Sequence, residues 1–205
     1  MRKVLMVLVA LMFVVHSAHA STIVLTFEGI GNQVAIGSYY NGGGGGNYGI
    51  DFSSNALALE SGNYGSNPSQ PGIMFFLTGS SSIMNVLAGF DTGFSFFYAG
   101  NSSGAGSVTV YDEFGATGNI LGSFSLPDTV TPYYVWDPIG VAFSGIAKSV
   151  AFSGVANYIG FDDITLGSRI PGQTAATPEP GTMLLMGVGV AGVVFMKRRK
   201  AKAGC

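Results

Sequence analysis

Apolar positions along this chain fall into three regimes. At the start, Arg2 and Lys3 lead into an unbroken apolar run over 4–15, which closes on Ala18-His19-Ala20. At the other end, 181–196 carries no charge and is followed at once by Lys197, Arg198, Arg199 and Lys200. Between them the apolar runs are short and broken by Gly, Asn, Ser and Pro. Those runs predict strands at 22–27 (TIVLTF), 48–52 (YGIDF), 56–59 (ALAL), 72–77 (GIMFFL), 94–98 (FSFFY), 107–111 (SVTVY), 120–126 (ILGSFSL) and 158–166 (YIGFDDITL). The 107–111 and 120–126 segments alternate apolar with polar, as a half-buried strand requires. No window shows a helical apolar stripe, and 82–87 (SIMNVL) reads as strand or loop. Many short strands with frequent turn residues predict an all-β domain, a jelly-roll-like β-sandwich over 21–170. A linker follows at 171–177.

The two ends read as targeting segments. A basic start, an apolar stretch too short to span a bilayer and a small-x-small site describe a secretory signal peptide over 1–20, cleaved after Ala20. The 181–196 stretch with basic residues behind it predicts one transmembrane helix whose basic side stays in the cytoplasm. Pro178-Glu179-Pro180-Gly181-Thr182, the short apolar span and the cluster Lys197, Arg198, Arg199, Lys200 together resemble the PEP-CTERM sorting domain. The resemblance covers about the last 30 residues. It implies an exosortase, a membrane-embedded cysteine protease/transpeptidase, as processing partner. Pro178, Glu179 and Pro180 would mark the cleavage region. The precursor would sit in the inner membrane of a Gram-negative bacterium. The mature protein would pass to the cell surface or to an exopolysaccharide matrix of the kind that builds biofilms. Residues 201–205 extend past the basic cluster, where many members of that family stop sooner. An anchor that is never cleaved is the alternative.

Charge separates the middle from the ends. The whole chain carries only 10% charged residues and a formal net charge of -2, against about 25% charged in an average globular protein. Within 21–177 the basic residues are Lys148 and Arg169 alone, against ten acids, a formal charge of -8. Such a surface repels phosphate, so nucleic acid is excluded as a partner. Both histidines fall in the leader and the single cysteine is Cys205. A domain without His or Cys has no Ser-His or Cys-His nucleophile, no zinc site of the Cys/His kind and no disulfide.

Two local patterns stand out. Val141-Ala142-Phe143-Ser144-Gly145-Ile146-Ala147 recurs nine residues later as Val150-Ala151-Phe152-Ser153-Gly154-Val155-Ala156, which predicts a hairpin turning at Lys148-Ser149. Asn41 to Asn47 (NGGGGGN) lacks the following Lys and helix of a phosphate cradle. It reads as a flexible surface loop or one that closes over a ligand.

Carboxylates and aromatics carry the remaining chemistry. Glu28 ends the first predicted strand, and Asp162 and Asp163 lie on the last. In a jelly roll those strands are neighbours, so Glu28 could meet one aspartate. Asp162 and Asp163 themselves would point to opposite faces. Carboxylates with backbone carbonyls suit a structural Ca²⁺, which takes six to eight oxygens. The alternative is that they cap strand ends in water. Phe27-Glu28-Gly29 and Phe161-Asp162-Asp163-Ile164 resemble the terminal strands of carbohydrate-binding jelly rolls and MAM-like domains, where such a calcium can sit. Asp112-Glu113 reads as a hairpin turn. In Tyr133-Tyr134-Val135-Trp136-Asp137 alternation would place Tyr134 and Trp136 on one face, fit to stack on a sugar ring. Core packing is the alternative for Trp136. The expected role is therefore non-catalytic: structural, adhesive or glycan-binding. A carboxylate-based glycoside hydrolase or lyase is the alternative, and it needs an acid pair across a cleft.

Overall fold

The structure is a computed structural model and describes residues 22–60, 64–100, 106–129 and 133–174. The expected leader, the Pro178-Glu179-Pro180 motif, the 181–196 span and the basic cluster lie outside the described residues. The chain divides into two units, 1–174 and 175–205. Among the described residues no helix is long and apolar enough to cross a membrane.

Among the described residues twelve strands form two antiparallel sheets. They are β1 (Ile23–Leu25), β2 (Val34–Ala35), β3 (Ile50–Phe52), β4 (Ala56–Leu59), β5 (Ile73–Phe76), β6 (Ser81–Phe90), β7 (Gly93–Gly100), β8 (Gly106–Tyr111), β9 (Ile120–Leu126), β10 (Asp137–Ala142), β11 (Ala147–Ser153) and β12 (Ile159–Leu166). The seven-stranded sheet runs β10-β7-β12-β5-β4-β2, with β1 also on β12. The five-stranded sheet runs β3-β6-β11-β8-β9. First and last strands are paired, Leu25 facing Ile164 and Ile23 facing Leu166, as the sandwich expectation required.

Alternation sorts each strand into an inner and an outer side. Inner Phe94, Phe96, Phe152 and Phe161 are wholly buried. Phe96 meets Phe161 edge-on at 5.6 Å and Phe124 at 5.4 Å, linking the two sheets. Each such pair adds about 0.5–1.5 kcal/mol beyond the area it buries. The 82–87 segment proves to be the centre of the long strand β6, with Ser82, Met84 and Val86 buried at every second position.

The nine-residue repeat is not a hairpin. Val141 and Ala142 end β10 in the seven-stranded sheet, whereas Val150 to Ser153 belong to β11 in the five-stranded one. Lys148 and Ser149 lie within β11, and the chain crosses between sheets at 143–146, where Gly145 takes φ 99°. The two copies thus reach one core from opposite sides: Phe143 packs on Phe90, and Phe152 on Phe161.

The glycine loop is wrapped rather than free. Gly45 N–H donates to the Tyr39 carbonyl at 3.0 Å and Gly43 N–H to that of Ser38 at 3.1 Å. A Cβ on Gly45 would lie 2.2 Å from the Tyr39 ring, so only glycine lets the backbone lie flat on it. Tyr39 in turn donates its hydroxyl to the Glu28 carbonyl at 2.9 Å, and the Tyr40 hydroxyl accepts from Phe27 N–H at 2.7 Å. The loop therefore pins the corner where the chain leaves β1, at which Phe27 holds a left-handed φ of 64°.

Candidate functional site

Part of the outer side of the seven-stranded sheet is covered by a strap, residues 64–72, which joins two groups of side chains.

At its far end the strap meets the acids. Asp162 is 0% exposed. Its Oδ2 accepts from Ser69 N–H at 2.9 Å and from the Asn67 amide at 3.1 Å, and its Oδ1 from Ser69 Oγ at 2.9 Å. Ser69 Oγ is also 2.7 Å from Asp163 Oδ1, so both aspartates face one hydroxyl. The expectation of opposite faces fails because alternation is broken here. Asp162 pairs with Phe97 and Thr165 with Ser95, which sets Asp163 and Ile164 against Phe96 alone. This bulge gives Asp163 a left-handed φ of 47° and turns its side chain back. Burial in the strap pushes the Asp162 carboxyl up to about 7, helped by the Asp163 charge and opposed by the Ser69 hydrogen bonds.

Glu28 reaches the same strap, its Oε1 accepting from Gly72 N–H at 3.0 Å. The three predicted acids nevertheless do not converge as a ligand set: among the described residues no three Asp, Glu, His or Cys side chains could hold a metal together. The additional oxygens come from residues that the sequence did not single out. The Asn67 amide donates to Asp162 Oδ2, to the Gly72 carbonyl at 3.0 Å and to the Ser69 carbonyl. One donor at the focus of a carboxylate and two carbonyls marks an oxygen-lined spot. With Glu28 beside it, this chemistry fits a hard cation such as Ca²⁺. The Asn67 side-chain oxygen would then serve in place of its nitrogen.

At its near end the strap meets the aromatics. Trp136 Nε1–H donates to the Gly65 carbonyl at 2.9 Å. The Tyr134 ring lies against Gly65, where a Cβ would come within 2.7 Å of it. Tyr134 is 57% exposed. Tyr64 packs edge-on to Tyr133 at 4.7 Å and tilted to Trp136 at 6.0 Å. Beneath them Leu59, Ile73 and Phe75 form a second, smaller apolar cluster on the sheet's outer side. Tyr134 and Trp136 do meet at one place, though not by strand alternation: β10 begins only at Asp137, and Tyr133 has φ 67°. Trp136 is half-buried and Tyr134 is the open ring. Tyr64 keeps a buried hydroxyl with no hydrogen-bond partner, and burial raises its pKa.

Three acids elsewhere are each held by one residue. Glu60 accepts from Gly31 N–H at 3.0 Å, Asp51 from Asn41 at 2.9 Å, and Asp112 from Asn119 at 2.7 and 2.8 Å. Asp112-Glu113 begins the turn between β8 and β9, as expected.

Beyond this domain, residues 176–200 match the PEP-CTERM protein-sorting motif. The tail is a PEP-CTERM sorting signal. It indicates a secreted, exosortase-processed surface protein. No curated protein matches the chain in sequence. Among solved structures it is similar to a family 35 carbohydrate-binding module from Clostridium thermocellum, at 14% identity over 72% of this chain and 98% of that one, TM-score 0.41. It is similar also to the C-terminal family 6 module of a laminarinase from Zobellia galactanivorans, at 11% identity over 71% and 98%, TM-score 0.41. A family 43 arabinoxylan arabinofuranohydrolase from Bacillus subtilis matches at 19% identity over 58% of this chain, TM-score 0.41, and there the chain spans 25% of the enzyme's length.

Proposed function

We propose that the domain is a non-catalytic glycan-binding module of the cell surface or exopolysaccharide matrix. In this reading the signal peptide exports the chain, the 181–196 helix holds the precursor in the inner membrane, and exosortase releases it near Pro178-Glu179-Pro180. The observation that carries the glycan reading is the exposed Tyr134 ring held beside Trp136 on Gly65. A rigid aromatic with one face in solvent offers a sugar ring both apolar contact and a hydroxyl partner. Trp136 acts as the positioning residue, since its indole N–H is spent on the Gly65 carbonyl. We assign Ca²⁺ a supporting role at Glu28, Asn67, Ser69, Gly72 and Asp162. Fixing that end of the strap would fix Gly65, and hence the platform. Asp163 stands beside this site through Ser69.

Titration of the chain, purified in detergent, with oligosaccharides from the matrix of the producing strain tests the reading. Tyr134→Ala should weaken binding about five- to tenfold, the worth of one stacked ring, with an unchanged melting midpoint. Wild-type affinity in Tyr134→Ala, or no binding by the wild type, would remove the platform from the function.

A further inference from the structure

The outer side of the five-stranded sheet carries a pattern that the aromatic platform does not use. Ser81 faces Ser153, Ser153 faces Ser107, and Ser107 faces Ser125. One row of four serines thus crosses β6, β11, β8 and β9. Its members alternate along their strands with buried Ser82, Phe152, Val108 and Phe124, so they point outward. The next row is Ile83, Ala151, Thr109 and Ser123, in which the Thr109 and Ser123 hydroxyls lie 3.3 Å apart. Among the described residues the four serine hydroxyls make no side-chain hydrogen bond. A groove runs along this end, lined by Ser107, Ser125 and Ser153 with Leu126, Pro127 and Gly154. The opposite end is closed by the β8–β9 turn. There Gly115 N–H donates to Asn85 Oδ1 at 2.8 Å and Ala116 N–H to Ser149 Oγ at 2.9 Å.

We propose that this serine row is a second binding surface, for an extended uncharged polysaccharide lying across the strands. Three features select that occupant. The two rows hold no charged side chain, so an ionic polymer would lose hydration there without a counter-charge. Each hydroxyl both donates and accepts, which matches a partner bearing the same bifunctional groups. The rows repeat at the strand spacing, about 4.8 Å, so the partner must itself be periodic and extended. The proposal shares the glycan reading but none of its residues.

Depletion assays with the full-length chain in detergent, on hydroxyethylcellulose, xylan and mixed-linkage β-glucan, test the proposal. Carboxymethylcellulose serves as the charged control. At least one uncharged polymer should bind, and carboxymethylcellulose should bind more weakly. Ser107→Ala/Ser153→Ala should weaken uncharged-polymer binding several-fold, and Ser107→Asp/Ser153→Asp about tenfold or more. Wild-type binding by a folded alanine double variant would overturn the serine row and leave the platform standing. Binding lost in Tyr134→Ala alone would do the same. Binding lost only in the serine variants would support the row and remove the platform. Absence of binding to all three uncharged polymers would overturn the row. So would a serine-dependent dimer seen by sedimentation without any change in polymer binding.

Discussion

Loops fold over the outer sides of both sheets, and on each side one of them pairs an aspartate with an asparagine. Over the seven-stranded sheet, Asn67 and Ser69 of the strap bind Asp162. Over the five-stranded sheet, Asn119 binds Asp112 through both its backbone and its side chain. The partners are of similar kind, yet the two carboxyls move in opposite directions. Asp162, wholly buried, is raised to about 7. Asp112, in open solvent, is held below its ordinary value by the Asn119 hydrogen bonds. Hydrogen bonds favour the charged form in both places, and at Asp162 the loss of water outweighs them. The buried turn bears the cost of taking its carboxyl out of water, whereas the exposed turn has its charge satisfied by donors and by Lys148 nearby.

Removing the buried acid is the strongest way to break this contrast. Asp162→Ala strands Ser69 N–H and Asp163 N–H, which donates to Asp162 Oδ1 at 2.7 Å, while the Asn67 amide keeps the Ser69 and Gly72 carbonyls. Each orphaned donor costs about 1–3 kcal/mol, so urea denaturation should show a loss of about 2 kcal/mol or more. Asp112→Ala should leave the midpoint nearly unmoved, because its donors turn to water. Equal losses from the two substitutions would show that burial does not separate the turns.

Acid–base behaviour sharpens the same contrast. In chelator, Asp162 is neutral in both states below about pH 3.8 and burdens neither. As pH rises toward 7 the unfolded chain ionises this group freely, while the folded one holds its proton. Its contribution therefore drains away between about 3.8 and 7, by a few kcal/mol at most. Asp112 acts in the other direction: its contribution is present above its ordinary pKa of 3.8 and is lost as pH falls below it. Asp162→Asn should flatten the stability profile between pH 4 and 7, and saturating calcium should flatten it in the wild type by favouring the carboxylate. A wild-type profile insensitive to calcium across that range would sink the cation assignment.

How much of this was legible from residues alone follows from the range of the interactions. Local signals placed eight strands, because alternation and turn residues act over a few positions. They also led to a paired β1 and β12, since closing a sandwich brings its ends together. They could not place Asp162 and Asp163 on one side, because a bulge depends on the partner strand β7. Asn67 and Ser69 carry no local mark of importance: they matter only through Asp162, more than ninety positions away. The glycine run looked flexible because its partner, the Tyr39 ring, is invisible to composition. The two copies of Val-Ala-Phe-Ser-Gly suggested a hairpin, but the crossing between sheets is a tertiary event. The serine row is likewise unreadable without register, since its members come from four separate strands.

The smallest expected effect tests how the exposed turn is fastened. Ser149 is buried on β11, where its Oγ accepts from Ala116 N–H and donates to the Glu113 carbonyl. Outside it, Lys148 pairs with Glu113 at 3.4 Å and lies over the Phe114 ring at 5.5 Å. Exposed ion pairs of this kind add little, so the buried hydroxyl should hold the turn. Ser149→Ala should lower stability by about 1–2 kcal/mol and speed amide exchange at 113–118, leaving the strap over the other sheet protected. Lys148→Ala should change exchange much less. If Lys148→Ala instead freed the turn and Ser149→Ala did not, the exposed turn would be held from outside. Burial would then fasten only the turn at Asp162.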